Sequence, residues 1–81
     1  MSARVAVRNA IVRALADRGS PPREVSDEQF LGEDGLGLDS LDMATIVAEL
    51  DAVLQKDPFG ERTPQFRTVG DFVKLYENEP P

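Results

Sequence analysis

Apolar residues recur at helical spacing in three separate stretches of the chain, with irregular or polar segments between them. In the first stretch Val7, Ala10, Ile11, Ala14 and Leu15 recur at i, i+3, i+4, i+7 and i+8. That is the stripe of an amphipathic helix running from about Ala3 to Asp17 or Arg18. Gly19 is placed to close it, and Ser20-Pro21-Pro22 to stop it from continuing. In the second stretch Leu41, Ala44, Val47, Ala48, Leu50 and Leu54 predict a helix from Ser40 to about Gln55. Its inward stripe is Ile46, Val47, Leu50 and Leu54, with Asp42, Thr45, Glu49 and Ala52 nearer the outside. The third stretch opens on Thr68, with Asp71 three positions later in a capping-box-like pair. Val69, Phe72, Val73 and Tyr76 then carry a helix over about residues 68–78, before a polar tail ending in Pro80-Pro81.

The segments between these helices differ in kind. Residues 19–39 show no sustained period, yet Val25, Phe30, Leu31, Leu36 and Leu38 are too apolar for a free linker and should plug the core. Ser26-Asp27-Glu28-Gln29 is suited to a brief helical turn. Asp57-Pro58 resembles a cap followed by a first-turn proline, predicting one turn over Pro58 to Arg62. Gly60 and Pro64 keep it short, and Phe59 and Phe66 serve as hydrophobic anchors. No strand alternation, internal repeat or interdomain linker interrupts this layout. The expectation is a single all-α domain over residues 1–81, a small three- to four-helix bundle with a long loop between its first two helices.

Composition narrows the chemistry. With 81 residues there is room for one small core, and such a chain buries only about 60–65 % of its unfolded surface. Cysteine and histidine are both absent, which removes disulfides, Cys/His zinc sites and histidine-dependent triads. No apolar run approaches the roughly 18 residues of a membrane span, and Met1-Ser2-Ala3-Arg4 opens no signal segment, so a cytoplasmic protein is expected. Charge is segregated along the chain. Residues 1–23 hold five arginines and one acid, whereas residues 24–55 hold nine acids and no base. A single-sign field over the second segment would repel nucleic acid and anionic membrane and steer basic protein surfaces.

Ser40 sits at the centre of that acidic segment, just after Gly35 and Gly37. Asp39 is a natural N-cap for the second helix, and Asp42 adds negative charge in its first turn. Ser40 is then the first helical residue, and a phosphate ester there would lie against free N–H donors and the positive helix end. A nucleophilic role lacks support, because there is no histidine base, the only lysines are Lys56 and Lys74, and Asp42 replaces the second glycine of a Gly-x-Ser-x-Gly elbow. A calcium loop over Glu33 to Asp42 does not fit either, since Leu36, Leu38 and Leu41 fall among the ligand positions.

Gly37-Leu38-Asp39-Ser40-Leu41-Asp42 resembles the Asp-Ser-Leu attachment site of the acyl carrier proteins. Length, charge and helical layout are similar as well, so the resemblance spans nearly the whole chain. It implies a protein that is not itself an enzyme, carrying acyl groups as thioesters on a 4′-phosphopantetheine arm esterified to Ser40. A separate phosphopantetheinyl transferase would supply the arm from coenzyme A, using magnesium held largely at the transferase. Acyl-loading and acyl-transferring enzymes would then read Asp39, Leu41, Asp42, Met43, Thr45 and Glu49 on a monomeric carrier. Thr45 and Ala52 stand where fatty acid carriers usually have acids, and arginine outnumbers lysine seven to two. These departures point toward polyketide-like specialised metabolism. The alternatives are a housekeeping fatty acid carrier, a peptidyl or aminoacyl carrier and, in a different class, an acidic helical interaction module with an unmodified Ser40.

Overall fold

The structure is a computed structural model describing residues 2–20, 24–60 and 62–79. Its helices are α1 (Ala3–Asp17), α2 (Ser40–Leu54) and α3 (Val69–Asn78), so the described residues are all-α. Each start is capped by a side chain. Ser2 accepts the Val5 amide, Asp39 the Asp42 amide and Thr68 the Asp71 amide. The end of α1 is a Schellman closure, in which Ser20 N–H donates to the Leu15 carbonyl and Gly19 N–H to that of Ala16. Gly19 takes φ +80°, so the helix stops before the Pro21-Pro22 pair, which lies outside the described residues. Gln55 ends α2 in the left-handed region at φ 54°.

One apolar cluster unites the helices. From α1 come Ala6, Val7, Ala10, Ile11, Ala14 and Leu15, from α2 Ile46 and Leu50, and from α3 Val69, Phe72, Val73 and Tyr76. Val47 and Leu54 are half-buried against it, whereas Leu41, Ala44 and Ala48 face outward, contrary to the grouping that periodicity suggested. The helix is apolar on more than one side, so spacing alone could not decide which side is inward. Helix α1 packs on both others, while the backbones of α2 and α3 nowhere come within 8 Å in Cα separation. The rings of α3 pack instead against the segment that joins it to α2. Phe72 lies tilted against Phe66 at 5.0 Å and edge-on to Tyr76 at 5.5 Å between ring centroids, and Phe59 meets Phe66 edge-on at 5.7 Å.

The connection from α1 to α2 is built onto α3. Phe30 and Thr68 form an isolated antiparallel bridge, flanked by bonds from Leu31 N–H to the Arg67 carbonyl and from Val69 N–H to that of Gln29. Val25, Leu31, Leu36 and Leu38 are buried as expected. Phe30 is not: it is 43 % exposed, with the Arg67 guanidinium 5.8 Å from its ring centroid. Residues 26–29 form a reciprocal turn rather than helix, in which Gln29 N–H donates to the Ser26 carbonyl and Gln29 Oε1 accepts the Ser26 amide. The turn expected over 58–62 is present at 58–60, closed by Gly60 N–H on the Asp57 carbonyl, and Glu61 lies outside the described residues. No helix is long and apolar enough to cross a membrane among the described residues.

Tyr76 ties α3 to α2 chemically as well. Its hydroxyl donates to Asp51 Oδ1 at 2.8 Å, and Lys56 Nζ donates to its carbonyl at 2.8 Å. Burial, then the bond to Asp51, pushes the hydroxyl well above the usual tyrosine range. The folded state therefore holds a proton that the unfolded state releases near pH 10. This contribution to stability is fully present below about pH 10 and is lost as pH rises toward the higher folded value. Thermal melts between about pH 9 and 11 should fall more steeply for the wild type than for Tyr76→Phe. Equal slopes for the two proteins would remove Tyr76 as the source of alkaline sensitivity.

Candidate functional site

Ser40 is the first residue of α2 and is exposed. Its hydroxyl makes no hydrogen bond among the described residues. A reciprocal cap brackets it: Asp42 N–H donates to Asp39 Oδ1 at 2.8 Å, and Asp39 N–H donates to Asp42 Oδ2 at 3.1 Å. The Asp42 amide, with smaller help from the Asp42 side chain, Arg18 and the Leu41 amide, holds the Asp39 carboxyl below the usual carboxylate range. The Asp39 carboxylate takes the Asp42 amide, one of the first-turn donors that a phosphate ester on Ser40 would otherwise face.

The approach to Ser40 is a compact loop. Gly37 N–H and Gly35 N–H both donate to the Gly32 carbonyl, Leu36 N–H to that of Phe30 and Leu38 N–H to that of Leu31. The two glycines have separate reasons. Gly37 occupies the left-handed region at φ +76°. Gly35 lies against the Phe30 backbone so closely that a Cβ would stand 2.0 Å from its carbonyl oxygen. Beside Ser40 opens a cleft of about 320 Å³, walled by Phe30, Leu38, Met43 and Phe66, with Arg67 and the acids Glu33 and Asp34 also lining it.

The anticipated partner residues fall into two groups. Leu41 is 75 % exposed, and Thr45 is exposed beside it with its hydroxyl donating to the Leu41 carbonyl. Met43 turns the other way, half-buried in the cleft wall. Asp39 is used in the cap. Asp42 also accepts Arg18 Nη1 at 2.7 Å, and Glu49 takes the Arg13 guanidinium through both carboxylate oxygens. Asp51 is held by Tyr76, so every carboxylate of α2 is engaged within the chain. The outward face is uncharged: Leu41, Ala44, Thr45, Ala48 and Ala52.

Three of the nine acids in the second segment are paired with cations of the first. Arg4, Arg13 and Arg18 of the first segment pair with Asp27, Glu49 and Asp42 of the second. Charges separated along the chain are brought together by the packing of α1 on α2 and on the loop. Among the described residues no group of three His, Cys, Asp or Glu side chains is arranged to hold a metal ion. Sequence reasoning overlooked Arg18 and the Phe30–Phe66–Arg67 wall. For Arg18 the signal was an arginine-rich first helix beside a base-free acidic segment, which invites cross-helix pairing. Comparison with protein-family models, with curated proteins and with solved structures finds no match for this chain.

Proposed function

We propose that the chain is an acyl carrier protein whose Ser40 bears a 4′-phosphopantetheine arm, in a small helical bundle of the carrier type with a long loop ahead of the modified serine. The observation that carries this reading is Ser40 itself. It is an exposed, unbonded hydroxyl in an Asp-Ser-Leu-Asp sequence at the capped start of α2, next to a partly apolar cleft. Exposure lets the Ser40 oxygen attack the pantetheine-side phosphorus of coenzyme A held by a transferase, which takes the hydroxyl proton as adenosine 3′,5′-bisphosphate leaves. The cap fixes the backbone on both sides of the reacting oxygen. When bound, the arm supplies a thiol that carries acyl groups as thioesters. Tethering delivers that cargo to successive enzymes at high effective concentration. The chain's own residues supply position and recognition rather than catalysis.

The uncharged outer face of α2 supports partners that bind by shape and apolar contact more than by charge, which favours specialised, polyketide-like pathways over the housekeeping fatty acid system. A peptidyl or aminoacyl carrier shares the modified serine and is the second reading. The test is incubation of the purified protein with coenzyme A, magnesium and a broad-specificity phosphopantetheinyl transferase, read by mass spectrometry. One arm should appear on the wild type and none on Ser40→Ala. Attachment at Ser2, Ser20 or Ser26, or failure with several transferases, would replace the carrier reading with that of an interaction module.

A further inference from the structure

We infer that Arg18 is a positioning residue that sets Ser40 for modification from outside the motif; this rests on the carrier reading above. Arg18 is the C-cap of α1, where the Schellman closure fixes its backbone. From there one guanidinium nitrogen, Nη1, donates to the Gly37 carbonyl and to Asp42 Oδ2. Gly37 precedes Ser40 by three residues and Asp42 follows it by two, so a single donor group spans the serine. The two acceptors belong to the two devices that shape this segment, the left-handed turn at Gly37 and the cap of α2. Asp42 Oδ2 is the same oxygen that receives the Asp39 amide. Loss of Arg18 therefore frees the turn and one half of the cap from α1 together. Both bonds leave the same nitrogen, which the rigid guanidinium holds at the end of a longer side chain; a lysine ammonium has donors enough for two acceptors but a shorter, looser reach.

Positioning and charge predict opposite results. Removing a cation makes the surroundings of Ser40 more negative, and simple steering would then speed encounter with a basic transferase. Positioning predicts slower transfer. The experiment compares wild type, Arg18→Ala, Arg18→Lys and Arg4→Ala, the last removing another α1 arginine that pairs with the loop at Asp27. Two measurements are made on each: amide hydrogen exchange of the unmodified protein, and transferase kinetics with coenzyme A. Arg18→Ala should hasten exchange at residues 37–42 and lower kcat about tenfold, with KM for the carrier changed less than about twofold. Arg18→Lys should restore kcat only in part, and Arg4→Ala should match the wild type in both measurements.

Faster exchange with unchanged kcat would make Arg18 a brace without a positioning role and overturn the inference. Unchanged exchange, or a faster reaction in Arg18→Ala, would overturn it as well. Failure of the wild type to accept the arm would instead sink the carrier reading. The exchange data would then decide alone whether Arg18 holds the segment.

Discussion

Truncation of Phe72 to alanine is expected to abolish most of the cooperative thermal transition. Phe72 has no exposed surface and lies in ring contact with Phe59 and Phe66 of the segment between α2 and α3 and with Tyr76 of its own helix. A phenylalanine-to-alanine change at such a site costs about 3–5 kcal/mol. A domain this small has only about 5 kcal/mol to lose. Leu50, equally buried on α2, should cost about 2–5 kcal/mol when cut to alanine. Thr45→Ala, on the exposed face, should stay within about 0.5 kcal/mol of wild type. Circular-dichroism melts of the three variants make the comparison, and a wild-type transition in Phe72→Ala would mean the aromatic cluster is not the closure of the core.

Gly35→Ala is the second substitution with a large expected effect, and it acts on the loop rather than the helices. The new methyl would stand 2.0 Å from the Phe30 carbonyl oxygen and 2.8 Å from its carbon and nitrogen. These are backbone atoms and cannot rotate aside. The same carbonyl accepts Leu36 N–H at 2.8 Å, so opening the contact also strains that bond. Overpacking at about 1–3 kcal/mol with about one more for the hydrogen bond gives a loss of about 2–4 kcal/mol. Leu36 and Leu38 would be drawn outward, and modification of Ser40 should slow with them. Gly32→Ala serves as the control, because a Cβ there meets nothing within 4 Å. If urea unfolding finds Gly35→Ala as stable as Gly32→Ala, the loop does not pass as closely over Phe30 as described.

Which features could be read from the sequence follows from how far apart their determinants lie. The caps at Asp39–Asp42 and Thr68–Asp71 are three-residue signals, and both form as their spacing implies. The stripes of α1 and α3 are equally local, and their buried residues match the periodic positions closely. Helix α2 was harder, since small and apolar residues also occupy its outer face, and Leu41 lies outward despite its spacing. The charged contacts could not be read locally at all. Arg18 reaches Asp42, Arg13 reaches Glu49 and Tyr76 reaches Asp51 across separations of 24, 36 and 25 residues. Counting charge along the chain therefore overstated the field around Ser40. Phe30 escaped burial for a related reason: its neighbour is Arg67, which only the bridge to Thr68 brings near.

That bridge orders events in time. Residues 27–31 are hydrogen-bonded to the residues that begin α3, through Gly70 N–H on the Asp27 carbonyl as well as the pairs around Phe30 and Thr68. The caps and helical turns of α1 and α2 take their hydrogen bonds from neighbours in sequence, and the two helices pack directly on each other. The loop ahead of Ser40 instead waits for a segment nearly forty residues downstream (Phe30 to Thr68) to dock. Contacts of that separation close late, because the entropy of the intervening chain must be surrendered before they return anything. A chain caught before α3 docks would hold a formed α2 with an unfinished approach to its serine. The geometry ahead of Ser40 is thus completed by a contact with α3 and not by the loop alone.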